Sequence, residues 1–376
     1  MIPPFCPDPR CRHHNDDAKD YQHFWKHAGS YDTLVAGTVR RYQCLACGKG
    51  FSERTFSLAY YTKKRLDFRE VHRSISQGES LSSIARHLCC SIDSVQNRID
   101  RLARAGISAH ARIMQGVELG EHLVADGFES FDRSQFFPCN INLLNGKDSQ
   151  FLYGATHVTI RRKGRMTSRQ KILRSRLELC WKPARGVLVT AFTQLMTIIP
   201  RIWDPRTVYG IELWTDENPA YPMAITRVPA LRKALADNGF IHKTYSSKLP
   251  RTKQNPLFSV NYYDRELRKD IAAFRRESTC FSRNVSNGLM RFMLHMVYHN
   301  YQKCFRVHNP LTMFSHAEAA GIPKYRLKEE LAGLYLDRPF VSKVNLNPEE
   351  RRIWLKDAPT PLKTTHDYVP KYAKVS

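Results

Sequence analysis

One apolar strand that ends on an acid is visible in Val208-Tyr209-Gly210-Ile211-Glu212-Leu213-Trp214-Thr215-Asp216. A second strand of this kind, Glu121-His122-Leu123-Val124-Ala125-Asp126, also runs into an aspartate. A sheet holds such a carboxylate in place while its end stays open to water, which suits a Mg²⁺ ligand. The two strands predict an α/β domain with Asp126 and Asp216 as acidic metal ligands, although ordinary loop acids remain the alternative at this point.

A third acid is expected from the helical run Val260-Asn261-Tyr262-Tyr263-Asp264-Arg265-Glu266. Its apolar stripe, which continues through Leu267, predicts the face that meets the sheet. Asp264 lies near the centre of that stripe, whereas Glu266 and Asn261 lie further round the helix. Two Mg²⁺ ions bridged by acids of this kind activate water and then a 3′-hydroxyl of DNA.

The charge balance points to a polyanionic partner. The chain of 376 residues has a net charge of +24, which is typical of nucleic-acid-binding proteins and disfavours an ordinary metabolic enzyme. Residues 161–185 hold ten basic residues and one acid, and residues 241–310 hold thirteen and four. These two segments therefore carry most of the surplus, on either side of Asp216.

Two pairs of cysteines lie near the N-terminus. Cys44 and Cys47 have the CxxC spacing at which two thiolates reach one Zn²⁺, while Cys6 and Cys11 are spaced more widely. Residues 1–60 are too few to fold on an apolar core alone, so a metal would supply much of their stability. The pattern predicts a zinc ribbon, with four unrelated free cysteines as the alternative.

Residues 61–110 predict an all-α helix-turn-helix DNA-binding domain. Apolar positions in 80–88 and 92–102 indicate two crossing helices, with a plain helical hairpin as the alternative. Gly106 is interpreted as part of a connector to the next domain. The outward face of the second helix is expected to offer residue types that read base edges and neutralise phosphates, namely Gln96, Asn97, Arg98 and Arg101.

Three motifs carry a resemblance to a known family. Cys44-Leu45-Ala46-Cys47-Gly48 resembles the zinc-ribbon start of bacterial insertion-sequence transposases. Thr215-Asp216-Glu217-Asn218-Pro219-Ala220-Tyr221-Pro222 is similar to the second-aspartate motif of the insertion-sequence-one group, and Cys280-Phe281-Ser282-Arg283 resembles the end of that group's catalytic helix. The resemblance covers about 1–57 and 120–306.

The resemblance implies an RNase H-like catalytic domain over residues 118–310, a mixed sheet flanked by helices, that cuts and joins DNA with Mg²⁺ or Mn²⁺. It assigns Asp126 and Asp216 as catalytic. The family's glutamate position falls on Asn261 and its asparagine position on Asp264, so the polar pair is exchanged. Residues three apart share a helix face, and we expect Asp264 to be the third acid. Asn261 as a metal-touching amide, Glu266, or a site without a third ligand are the alternatives.

The expected protein is a transposase that binds the terminal inverted repeats of its element and catalyses strand cleavage and transfer. Its partners would be double-stranded DNA of the element ends and target, with a homo-oligomer assembled on the DNA. A DNA-binding regulator, or a transposase-derived protein without activity, is the second hypothesis. Phosphate contacts are expected from Arg161, Arg162, Lys163, Arg268, Arg275 and Arg276, although any one of them is also compatible with a solvated charged face.

The remaining features concern the C-terminus and the compartment. Residues 311–376 are interpreted as a tail with short helices, whose last segment, 358–376, is expected to be extended or mobile. The N-terminus lacks the basic start and apolar run of a secretory signal, and no long apolar run predicts a membrane span. We therefore expect a protein of the bacterial cytoplasm that is associated with the nucleoid.

Overall fold

A small antiparallel sheet forms the N-terminal part of the chain. The computed structural model describes residues 3–15, 24–275, 279–306 and 313–375. After the short helix α1 (Arg12–Asn15), the strands β1 (Trp25–Thr33), β2 (Gly37–Cys44) and β3 (Gly50–Ser52) pair in sequence order. The predicted small N-terminal unit with its cysteines is thus present, and an aromatic cluster fills it, which consists of Phe24, Tyr42, Phe51, Phe56 and, from the C-terminal segment, Phe340.

Three helices follow the N-terminal sheet. They are α2 (Phe68–Ser76), α3 (Leu81–His87) and α4 (Ile92–Met114), and the side chains of Asp67, Ser80 and Ser91 cap their N-termini. Helix α4 begins where the sequence pattern begins, but it continues past the boundary expected near residue 110. It is a long central helix of 23 residues rather than a short one.

A mixed five-stranded sheet forms the centre of the molecule. It consists of β4 (Leu123–Phe131), β5 (Pro138–Gly146), β6 (Leu152–Thr159), β7 (Ile211–Asp216) and β8 (Phe240–Tyr245). The order is β6-β5-β4-β7-β8, with β4, β5 and β6 antiparallel and with β7 parallel to both of its neighbours. Every residue of β5 is buried, so helices cover both faces of the sheet. The α/β class with a mixed sheet flanked by helices is confirmed.

The helices around this sheet place the acids. They are α5 (Ser168–Cys180), α6 (Val187–Met196), α7 (Ile199–Ile202), α8 (Ala220–Thr226), α9 (Pro229–Ala236), α10 (Phe258–Asp270) and α11 (Val285–Val297). Helix α6 packs against β5 and β6, while α10 packs against β4 and β5. None of the residues of α5 is buried. The basic segment 161–185, which lies between Asp126 and Asp216 in the sequence, therefore contains a helix on the surface.

Helices α4 and α11 cross closely at a glycine. A Cβ on Gly106 would lie 2.6 Å from Cγ2 of Val297, which is closer than such atoms approach in real proteins. Gly106 therefore permits close packing of two helices instead of bordering a connector. The buried apolar residues from Leu58 to Ala358 form one continuous cluster, which includes α2, α3, α4 and the central sheet.

The C-terminal segment packs onto the rest of the chain. It contains α12 (His316–Ala319), α13 (Lys324–Leu331), α14 (Pro348–Trp354) and α15 (Lys371–Val375). Trp354 is buried and donates from Nε1 to the carbonyl of Ala373 at 2.8 Å, and Val369 is buried as well. Residues 358–370 form no helix or strand, as expected of an extended segment, but buried apolar side chains anchor them to the core, and the helix α15 follows. Within the described ranges, no helix has the length and apolar character needed to span a bilayer.

Candidate functional site

The two predicted aspartates lie on neighbouring parallel strands, Asp216 as the last residue of β7 and Asp126 inside β4, which continues to Phe131. The parallel register of β4 and β7 ends with Ala125 opposite Thr215. Asp126 and Asp216 are each the next residue along their strands, so the sheet places them side by side. The prediction of a strand that ends on an acid agrees with Asp216 and is wrong for Asp126, because β4 continues to Phe131 in antiparallel pairing with β5. The two acids are adjacent because the parallel pairing of β4 with β7 ends just before them.

Backbone amides orient both carboxylates. Oδ1 of Asp126 accepts from the amide of Gly127 at 2.7 Å, and Oδ1 of Asp216 accepts from the amide of Asn218 at 3.0 Å. The side chain of Asn218 in turn accepts from the amide of Ala220 at 3.0 Å, where α8 begins. The turn after β7 is thus fixed by two successive side chain–backbone bonds.

The environment of Asp126 opposes its negative charge. Burial, followed by the charge of Asp216, raises the pKa of Asp126 to about 6, and the guanidinium of Arg251 acts in the opposite direction. Burial and the charge of Glu217 raise the pKa of Asp216 too, although the amide of Asn218 opposes this. Two carboxylates that repel one another in a partly buried site favour a bound cation.

Asp264 belongs to the same neighbourhood. Burial raises the pKa of the Tyr221 hydroxyl well above its ordinary value, and the charges of Asp126, Asp216 and Asp264 raise it further. Tyr221 is only 1% exposed, and among the described residues its Oη has no hydrogen-bond partner. The three carboxylates are therefore within electrostatic range of the buried hydroxyl of Tyr221. The sequence predicted no role for the side chain of this residue.

The other candidates on α10 differ in their surroundings. Asn261 is half-buried one turn before Asp264. Glu266 is buried, forms an ion pair with Lys303 and lies 3.2 Å from Nζ of Lys269. Across the described parts of the chain, no set that contains the three aspartates has all its ligand atoms within 4.8 Å of one another. The acids are therefore spread more widely than the ligands of one shared ion.

A large basic groove begins beside the turn that holds Asp216. Its volume is about 1160 Å³, and Asn218, Pro219 and Ala220 form part of its wall. The segment between the two aspartates supplies its cations, namely Arg161, Arg162, Lys163, Lys182 and Arg185. Arg161 forms an ion pair with Glu178 of α5, which orients this guanidinium and offsets part of its charge.

The predicted arginines of the second basic segment line a smaller groove. Arg268 donates from Nη2 to the carbonyl of Glu129 at 2.9 Å, and its guanidinium lies 4.6 Å from the ring centroid of Phe128. Arg275 donates to the carbonyl of Lys269 at 3.2 Å. Both line a groove of about 560 Å³. Arg276 lies outside the described residues.

Two of the residues predicted to read DNA are buried. Arg98 donates to the carbonyl of Lys64 at 2.7 Å, and Arg101 donates to that of Leu58 at 2.9 Å. Only 4% of Arg98 and 5% of Arg101 is exposed, so the prediction that they face outward is wrong. The physical reason is that other segments cover this face of α4: the ring of Phe68 lies 5.8 Å from the Arg98 guanidinium, and the ring of Tyr372, from the C-terminal segment, lies 4.9 Å from that of Arg101.

The other two members of that set are half-buried. Gln96 donates to Asp100 at 2.7 Å, and the side-chain oxygen of Asn97 accepts from Arg98 and Arg101, at 2.9 Å each. Asn97 thus orients structural arginines. Exposed cations occur instead around α2 and α3, where the run from residue 63 to 65 was the available signal, and they are Lys63, Lys64, Arg65, Arg69, Arg73 and Arg86.

The four N-terminal cysteines converge on one point. Sγ of Cys6 lies 3.6 Å from that of Cys47, Sγ of Cys11 lies 3.7 Å from that of Cys44, and all four lie within 4.8 Å of one another. Four thiolates about 2.3 Å from one tetrahedral Zn²⁺ are about 3.8 Å apart, so the cluster is compatible with zinc. The predicted convergence is confirmed.

Local structure explains why these cysteines meet. The amide of Gly48 donates to the carbonyl of Cys44 at 3.0 Å, and Gly48 has a φ of +70°, which closes the turn around the CxxC pair. Below the cluster, buried His14 contacts the carbonyl of Cys6 at 2.7 Å and Oγ of Ser342 at 2.8 Å. The C-terminal segment therefore braces the cysteine site through His14.

In comparisons with known proteins, no protein-family model and no curated protein matched the chain.

Proposed function

We propose that this chain is a metal-dependent DNA strand-cleaving and strand-transfer enzyme of the transposase type, with an RNase H-like catalytic domain. The observation that carries the proposal is the adjacent placement of Asp126 and Asp216 after the parallel-paired residues Ala125 and Thr215. Helix α10 packs against β4 and brings Asp264 toward the same buried hydroxyl of Tyr221. Acids on two central strands and one helix supply the donor set that the RNase H-like hypothesis requires.

The donor set fits Mg²⁺ or Mn²⁺. Asp126, Asp216 and Asp264 offer hard carboxylate oxygens, which these ions prefer. Burial and the charge of Asp216 disfavour the ionised form of Asp126, and a bound cation would favour it. Bound metal would supply activation of the attacking water or 3′-hydroxyl and stabilisation of the leaving oxygen. Tyr221 stays protonated at neutral pH, because burial and the charges of the three carboxylates raise the pKa of its hydroxyl.

The basic groove supports DNA as the substrate. A phosphodiester backbone along Arg162, Lys163 and Arg185 would reach the Asp216 turn, because Asn218 lines the groove and also binds Asp216. The cations hold the strand by charge, without reading its sequence. We propose that the cysteine cluster holds Zn²⁺ as a zinc ribbon, and that this unit and α2–α3 select the terminal inverted repeats.

The test is a cleavage assay on the full chain. Purified protein is incubated with Mg²⁺ or Mn²⁺ and linear DNA that carries the ends of its own element. We expect metal-dependent nicking that Asp216→Asn abolishes while DNA binding persists. Asp237→Asn, at an exposed acid after α9, is the matched control and should retain activity.

Two outcomes contradict the proposal. One is the absence of strand cleavage with either metal on element-end DNA. The other is cleavage that survives Asp216→Asn, which would indicate a contaminating nuclease. DNA binding without cleavage would favour the DNA-binding regulator or the inactive transposase-derived protein.

A further inference from the structure

A second cluster of metal-ligating side chains lies away from both sites described above. It consists of Asp132, Cys139 and His157, each of which offers one ligand atom, and these atoms all lie within 4.8 Å of one another. All three residues are buried, with 2%, 2% and 6% of their surfaces exposed. Their burial distinguishes this cluster from groups of exposed acidic residues, which are common without a bound metal.

The sheet accounts for their convergence. Ile141 of β5 pairs with His157 of β6 in antiparallel register, and Cys139 lies two residues before Ile141. Cys139 and His157 are therefore diagonal neighbours on one face. Asp132 directly follows β4, and its bridge to Ser282 fixes the backbone that presents its carboxylate.

Two polar atoms of the cluster are unsatisfied. Oδ1 of Asp132 and Nε2 of His157 are buried, and the structure gives neither of them a hydrogen-bond partner among the described residues. A buried polar atom left without a partner destabilises the folded state. Two such atoms beside a thiol indicate a group that binds between them.

The tautomer of His157 permits it to act as a ligand. Nη2 of Arg352 lies 3.3 Å from Nδ1 of His157, but its two hydrogens are used in shorter bonds. They go to Oε1 of Glu349 at 2.6 Å and to the carbonyl of His157 at 2.9 Å. Arg352 does not need Nδ1 as an acceptor, so the lone pair can reside on Nε2 when a metal binds there, with the Nδ1 hydrogen then beside the Arg352 guanidinium.

We propose that Asp132, Cys139 and His157 bind a transition-metal ion of the zinc type. A thiolate, an imidazole nitrogen and a carboxylate are zinc ligands, whereas Mg²⁺ and Ca²⁺ take oxygen donors. Because the site is closed to solvent and joins the end of β4 to β5 and β6, its role is to hold these strands together, independently of the proposed catalysis.

Metal content of the full chain tests the proposal. We expect about two zinc ions per chain by mass spectrometry, one from the N-terminal cysteines and one from this site. Cys139→Ala should remove one ion, and Cys44→Ala should remove the other. Cys180→Ala, at an exposed cysteine of α5, should leave both in place.

A variant and a spectrum guard against misfolding. Asp132→Asn keeps the shape of the side chain, and it should lower the zinc content and the thermal midpoint together. In Cys44→Ala protein loaded with Co²⁺, the absorption bands of a tetrahedral site should remain. The addition of Cys139→Ala to the same protein should abolish these bands. The proposal is overturned if folded wild-type protein holds one zinc that Cys139→Ala leaves in place, in which case nearby Arg291 alone balances Asp132.

Discussion

Asp126 and Asp216 are neighbours across the gap between β4 and β7, and burial, followed by the charge of Asp216, raises the pKa of Asp126 to about 6. The pairing of Ala125 with Thr215 imposes this proximity through the backbone. The sheet holds two carboxylates close together, and their repulsion destabilises the ionised folded state. A bound cation would reduce this repulsion. This relationship supports the proposed metal site and leads to the first prediction.

Asp126→Asn should stabilise the metal-free protein at neutral pH. The folded pKa of Asp126 is raised from 3.8, so ionisation penalises the folded state, and the penalty grows between about pH 4 and pH 6 and is complete above that. One pKa unit corresponds to about 1.4 kcal/mol, which sets a limit of about 3 kcal/mol. Urea unfolding of both proteins with chelator from pH 4 to 8 should show a difference that vanishes at pH 4.

The control for this prediction is Asp237→Asn, which should follow the wild type at every pH. Added Mn²⁺ should then stabilise the wild type more than Asp126→Asn, because the variant has lost a ligand. A wild type that gains stability as pH rises from 4 to 6, relative to Asp126→Asn, would contradict the assigned direction of the pKa shift.

The sequence was sufficient for the elements whose signal is local. A strand is readable before each aspartate, although only β7 ends on its acid and β4 continues past Asp126, and the spacing of Cys44 and Cys47 predicted the knuckle. Whether Arg101 faces DNA or the core depends on Tyr372, which is far away in sequence and covers α4. The packing role of Gly106 is likewise not visible in the local sequence, because its partner is Val297 on α11. A contact between two segments that are distant in sequence produces no pattern of apolar residues in either segment, so the sequence does not reveal it.

Arg101→Met should destabilise the fold by about 2–4 kcal/mol. The change removes bonds to the carbonyl of Leu58 and to Oδ1 of Asn97, and it leaves the Leu58 carbonyl without this partner, whereas Oδ1 of Asn97 still accepts from Arg98. The exposed Arg86 of α3 provides the control, since Arg86→Met should change stability by less than about 0.5 kcal/mol. Denaturant unfolding measures both. Wild-type stability of Arg101→Met with loss of DNA affinity would restore the base-reading hypothesis.

Gly106→Ala should destabilise the α4–α11 packing by about 1–3 kcal/mol. The added methyl group would lie 2.6 Å from Cγ2 of Val297, so one helix must shift. Val297→Ala removes that atom, and the double variant should recover part of the loss. Thermal or urea unfolding of the two single variants and the double variant forms a cycle, and strict additivity of the three free-energy changes would show that this contact does not limit the packing.

Replacement of three cations in the large groove should weaken DNA binding and its salt dependence. Each phosphate contact contributes about 0.9 to the slope of log affinity against log salt, so a triple alanine variant should lower the slope by up to about 3. The three cations are Lys163, Lys182 and Arg185. The matched triple variant removes exposed cations elsewhere, namely Arg232, Lys324 and Lys328, and equal losses in both proteins would show that the groove has no special role.

Asp264→Asn should abolish strand cleavage, whereas Asn261→Ala should retain most of it. Both side chains lie on α10, but the charge of Asp264 acts on the Tyr221 hydroxyl together with those of Asp126 and Asp216. Glu266 is unsuited to the role because it is buried in an ion pair with Lys303. Cleavage of element-end DNA with Mn²⁺, measured at equal DNA occupancy, separates a chemical defect from a binding defect. Activity in Asp264→Asn together with inactivity in Asn261→Ala would assign the third ligand to the amide.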